Sequence, residues 1–228
     1  MRVKTIACVV LFCLLLPFTA SAQPAADKWV TAWAASVQGP YPVGNSILQP
    51  DLRRVFPEPQ TGARDQSFRL IVRPDVWGRE TRIRLSNAFG TKPVIFDGVY
   101  IGLQSGSSGV LPGTNQPVTF GGLAGVTVEP GQSVWSDAVE LPFVTDAGLA
   151  GLQGRKLAVS FHIAGESGPM TWHAKGLTTS YLTAPGAGAH GAEDGEASFP
   201  FSTTSWYFLD ALDMKKAPDT RVIVAFGD

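Results

Sequence analysis

The sequence predicts an all-β protein, an antiparallel sandwich of jelly-roll type, and three observations carry that prediction. Gly and Pro together make up about a fifth of residues 23–228 and fall at short intervals between β-branched and aromatic runs, which is the punctuation of turns between short strands. The clearest runs alternate apolar and polar residues with a period of two: Phe68-Arg69-Leu70-Ile71-Val72, Thr81-Arg82-Ile83-Arg84-Leu85 and Lys156-Leu157-Ala158-Val159-Ser160-Phe161-His162-Ile163. No amphipathic stretch of ten or more residues stands between such runs, and an α/β architecture would need one.

Along the chain, Met1–Ala22 reads first as a secretory signal peptide. Arg2 and Lys4 precede the apolar run Thr5–Leu16, and Ala20-Ser21-Ala22 supplies the small residues of a cleavage site. The mature chain is then expected to begin at Gln23 and to be secreted or periplasmic. Both cysteines, Cys8 and Cys13, fall in the discarded segment, so residues 23–228 have no disulfide and no thiolate to offer a metal or a substrate.

Strands are expected at Trp29–Ala34, Phe68–Val72, Thr81–Leu85, Val94–Leu103, Pro117–Phe120, Val126–Val128, Ser133–Leu141, Lys156–Ile163, Met170–His173, Thr179–Leu182 and Ser205–Leu212. Each of the three best alternating segments is expected to pack one face and wet the other. The helix-like segment Asp146–Leu152 is limited by Gly148 and Gly151 to a single turn. Ala184–Ala197, rich in Gly, Ala and acidic residues without pattern, reads as a mobile surface loop. The sandwich is thus assigned to residues 23–219.

Charge narrows the partners. Losing Arg2 and Lys4 with the signal takes the formal net charge from −1 to −3, which leaves no basic field to hold nucleic acid or anionic lipid. No second apolar stretch approaches membrane length.

Several residues invite a functional reading beside a structural one. Ser86-Asn87-Ala88-Phe89-Gly90 has the composition of a binding loop, but Asn and Gly after an alternating strand also make an ordinary turn, with Phe89 as a core plug. His173 beside Trp172 would line a cleft or be held by one hydrogen bond. His162 lies on the face opposite Leu157, Val159, Phe161 and Ile163 and is expected in solvent, with no metal. Gly186-Ala187-Gly188-Ala189-His190-Gly191 matches the dinucleotide pattern G-x-G-x-x-G, but Glu193, Asp194 and Glu196 follow where a helix would start, and their charge would repel a pyrophosphate. Trp77, Trp135, Trp172 and Trp206 would serve a carbohydrate module as stacking platforms, or fill the core.

The last segment breaks the alternation. After Arg221, Val222-Ile223-Val224-Ala225-Phe226 is continuously apolar, as is a strand covered on both faces in a parallel sheet, and it runs into Gly227-Asp228. A Val/Ile-rich strand entering Gly-Asp resembles the first block of the GDSL, or SGNH, esterase and lipase family, in which strand one of a flavodoxin-like domain ends in G-D-S and the Ser is the nucleophile. The resemblance extends upstream. Trp29-Val30-Thr31-Ala32-Trp33-Ala34-Ala35-Ser36, Arg82-Ile83-Arg84-Leu85-Ser86-Asn87-Ala88-Phe89-Gly90, Pro117-Val118-Thr119-Phe120-Gly121-Gly122 and Gly168-Pro169-Met170-Thr171-Trp172-His173 look like the β domain that precedes the catalytic domain in one secreted branch of that family.

The resemblance implies that residues 23–219 are the amino-terminal sandwich of a secreted carboxylic ester hydrolase and that residues 220–228 open its α/β catalytic domain, the chain being a fragment cut at the nucleophile block. The Ser itself is absent, and Val159, Met170 and Ala187 stand three residues before His162, His173 and His190, so no Asp-x-x-His pair occurs. Asp228 would support the nucleophile turn. No catalytic, cofactor-binding or metal-binding residue is therefore assigned within the chain, which is expected to be inactive alone, to need no cofactor and to have the carboxyl-terminal catalytic domain as partner. Its ligand would be an ester or a glycan. The alternative, a free-standing secreted carbohydrate-binding or interaction module, leaves Val222–Phe226 without a role.

Overall fold

A computed structural model describes residues 26–41, 52–58 and 60–223. The expected signal peptide lies outside the described residues, as do Val224–Phe226 and Gly227-Asp228 of the expected second-domain strand.

The described chain is an antiparallel β-sandwich with one helical turn. In chain order the strands are β1 (Lys28–Ala34), β2 (Gln38–Tyr41), β3 (Arg64–Val72), β4 (Glu80–Ser86), β5 (Val94–Gly106), β6 (Gly109–Val110), β7 (Gln116–Pro117), β8 (Val126–Val128), β9 (Ser133–Trp135) and β10 (Val139–Glu140). The turn α1 (Leu149–Leu152) follows, then β11 (Leu157–Glu166), β12 (Met170–His173), β13 (Ser180–Leu182), β14 (Phe201–Thr203), β15 (Trp206–Tyr207) and β16 (Leu209–Lys216). One sheet has the order β1-β16-β4-β10 with β9 also on β4; a second has β14-β13-β3-β11-β5-β6 with β7 and β8 on β5; a small third sheet is β15-β12-β2. Neighbours in these sheets are mostly remote in sequence, as a jelly-roll arrangement requires.

The two large sheets enclose one apolar core. Ala32, Ile83, Leu85, Leu212 and Met214 face it from the first sheet, and Phe68, Leu70, Phe96, Ile101, Val159 and Phe161 from the second. Its centre is aromatic: Phe68 stacks on Phe161 at 5.2 Å between ring centroids, and Phe96 meets Phe161 and Phe208 edge-on at 5.6 and 5.3 Å. Phe208 also makes the corner between the third sheet and the first. Its φ of 59° turns the chain between β15 and β16, a strained setting for a bulky residue. The setting is held by Phe208 N–H donating to Thr171 O at 3.0 Å and Ser86 N–H donating to Phe208 O at 2.6 Å.

β4 keeps the expected alternation, with Ile83 and Leu85 inward and Arg82 and Arg84 half-exposed. The other two alternating segments do not. β3 is buried from Gln66 to Val72 and β11 from Leu157 to Ile163, because residues 184–199 lie over the outer face of that sheet. The expectation of a wet face there is corrected by this cover. Ser133–Leu141, expected as one strand, is two short ones separated by Ser136-Asp137-Ala138, where the Ser136 and Asp137 side chains bond the backbone and Thr119.

Candidate functional site

The cover over the second sheet depends on Arg69. The residue occupies an outward position of central strand β3 and is fully buried. Nε donates to Ser160 Oγ at 2.9 Å, and the terminal nitrogens donate to the carbonyls of Ser108, Gly195, Glu193 and His190, while the guanidinium lies 4.1 Å from the Phe199 ring centre. Burial lowers its pKa to about 10, with the nearby Glu193 and Asp194 charges opposing that fall. Ser67 adds two more ties, to Gly188 O and from His190 N–H. Residues 184–197 are therefore a fixed cover rather than a mobile loop, because a Gly-rich segment exposes carbonyls and this sheet face supplies a five-donor side chain to collect them.

The same cover accounts for the dinucleotide-like pattern. Gly186 N–H and Gly188 N–H donate to the carbonyls of Arg64 and Asp65, so the backbone donors that a phosphate would need are taken. His190 bonds Glu193 through Nδ1 at 2.7 Å and Ala187 O through Nε2 at 2.8 Å. The Glu193 hydrogen bond raises the imidazole pKa above its ordinary value, and bonds from Ser198 and then His190 hold the Glu193 carboxyl below its own.

His162 is 6% exposed, which overturns its expected place in solvent. Its ring sits between two carboxylates, Nδ1 at 2.5 Å from Asp97 and Nε2 at 2.9 Å from Asp65. The aim of Asp97 comes from a bulge: between the pairs Ser160/Tyr100 and His162/Asp97, β5 carries one extra residue, and Gly98 takes the positive φ of 51° that this requires. The ring thus clips β11 to β5 and to the start of β3, and no cluster of metal-ligating residues forms there among the described residues.

The turn after β4 is structural. Asn87 is buried and its amide donates to Lys92 O and Val128 O. Phe89 is 44% exposed and packs over Gly39, so it is not the core plug expected. Its N–H donates instead to Thr171 Oγ1 at 2.8 Å, which joins this turn to β12.

His173, at the end of β12, has Nδ1 2.6 Å from Ser36 O. A carbonyl only accepts, so Nδ1 carries a proton and donates. The ring leans on Trp206 at 5.5 Å, whose other neighbour is Trp33, edge-on at 4.9 Å. Of the indoles expected as platforms, Trp77, Trp172 and Trp206 are buried. Trp135 is half-buried beneath the Arg82 and Arg84 guanidiniums at 4.3 and 5.3 Å. Arg82 itself stands between Trp135 and Trp29 and bonds Asp213 at 2.7 Å. Trp33, not among the indoles expected as platforms, lines an open groove together with Trp206, beside Arg73, Asp75 and Lys156.

No family model matches the chain, and no curated protein matches it with significance.

Proposed function

We propose that the chain is the amino-terminal β-sandwich module of a secreted carboxylic ester hydrolase of SGNH type. Residues 220–228 would enter its α/β catalytic domain, and hydrolysis would belong to that domain: a serine attacks the ester carbonyl, the oxyanion is held by backbone and side-chain donors, and water releases the acyl group. The observation that carries the reading is the fate of the terminal apolar run. β16 ends at Lys216, and beyond it Val222 is 49% and Ile223 93% exposed, so these residues take no part in the sandwich core. Exposed β-branched residues that enter Val-Ala-Phe-Gly-Asp suit a strand whose sheet lies elsewhere.

The histidines fit a supporting role. Ring nitrogens of His162 and His190 are engaged by carboxylates and a carbonyl, and that of His173 by a carbonyl. The test is the gene itself: the codon after Asp228 is expected to encode Ser, with an Asp-x-x-His sequence downstream in the same frame. A stop codon directly after Asp228 overturns the reading.

A further inference from the structure

A groove of about 480 Å³ opens where β3 ends and β11 begins, lined by Trp33, Arg73, Asp75, Lys156, Leu177 and Trp206 among others. The last rung of the β3/β11 ladder pairs Val72 with Leu157. Arg73 follows one and Lys156 precedes the other, and both cations line the groove just past that rung. Neither has a side-chain hydrogen bond or ion pair among the described residues, whereas Arg69, Arg82, Arg84 and Lys215 are all paired.

The rim above the cations is strained. Lys175 and Leu177, either side of Gly176, have φ of 58° and 53°, settings that strain residues with side chains. Gly176 N–H donates to Thr204 O, and a Cβ at Gly176 would come within 2.7 Å of the Trp206 indole. The loop is thereby pressed onto Trp206, and Leu177 is lifted to 89% exposure beside the groove. Strain of this kind concentrates at ligand clamps.

We propose that this groove binds an acidic glycan, with the carboxylate of one uronate unit at Arg73 and Lys156, its ring against Trp33 and its hydroxyls donating to Asp75. The mixture selects the class. Two unpaired cations suit a carboxylate, an indole suits a sugar ring, and a carboxylate in the same groove accepts hydroxyls while repelling a cluster of phosphates or sulfates. This inference does not rest on the ester hydrolase reading.

The experiment is isothermal titration of the protein with a short oligogalacturonate, a neutral cello-oligosaccharide of equal length and inositol hexakisphosphate. The uronate is expected to bind, to weaken as salt rises, and to bind far better than the neutral glycan. Arg73→Gln with Lys156→Gln is expected to weaken uronate binding roughly tenfold or more while melting at the parent temperature, because neither side chain holds the fold. Trp33→Ala is expected to weaken it as well. Absence of uronate binding, unchanged affinity in the double variant, or tighter binding of the hexakisphosphate overturns the proposal.

Discussion

Arg69 and Arg84 occupy equivalent positions in the sequence pattern, polar residues between apolar neighbours on a strand, and have opposite surroundings. Arg69 serves four backbone carbonyls under a cover. Its replacement by Met leaves those acceptors dry and unpaired, and is expected to cost about 3 kcal/mol in urea unfolding and to open residues 184–197 to limited proteolysis. Lys at this position is not expected to rescue, because a single ammonium cannot span the fork of acceptors. Arg84 bonds Asp210 at 2.7 Å. Burial raises the Asp210 carboxyl above its ordinary value, and Arg84 opposes that rise. A carboxyl whose folded pKa is raised holds its proton more readily when folded, so its contribution to stability falls as pH climbs through the carboxylate range. Arg84→Ala should therefore cost about 1–2 kcal/mol at neutral pH, and the deficit should shrink as pH is lowered toward 4, which paired melts at the two pH values would read. The sequence distinguishes neither arginine from the other: what sets them apart is a Gly-rich segment more than a hundred residues away in the chain. The glycines of residues 184–197 are visible in the sequence, but nothing in it joins them to Arg69.

At the level of elements, alternation was legible wherever both of its causes were local. Val126–Val128 and Met170–His173 have the bounds expected, and the rows of β1, β4, β5 and β13 differ by a few residues at their ends. Short strands with Gly, Pro or Ser in them, β2, β6 and β14, escaped notice because pairing by neighbours, not side-chain preference, makes them strands. The open indole face escapes the sequence for a similar reason. Trp77, Trp172 and Trp206 carry the composition of a binding face and the burial of a core, and the edge-on meeting of Trp33 with Trp206 brings both indoles to the open groove. The segment after β16 yields a prediction of its own. A chain ending at Asp219 is expected to melt at the temperature of the longer one, since Val222 and Ile223 stand outside the core, and to associate less in light scattering, since exposed β-branched residues template association. A marked fall in melting temperature would place residues 220–228 in the sandwich.

The whole molecule is a sandwich whose chemistry, among the described residues, is that of fixing strands and presenting a groove. Purified protein is expected to release no nitrophenol from a short acyl nitrophenyl ester above the buffer rate, because no serine hydroxyl meets a histidine ring nitrogen in the hydrogen bonds described. Activity that survived repurification and fell on replacing Ser86 would contradict this. The sheet order carries one more consequence, which concerns time. β16 lies between β1 and β4, joined to the first through the register Lys28/Lys216 and to the second through Leu212/Ile83. A ribosome delivers β1 and β4 long before the strand that belongs between them. Until Lys216 has emerged, both must wait with unpaired edges, and loop closure over so many residues places the finished fold among slow, millisecond-to-second folders. The interval is one in which each nascent sheet is a template for a neighbour's strand, so the yield of this protein in a cell would be governed less by the depth of its final energy minimum than by what shields β1 and β4 during their wait.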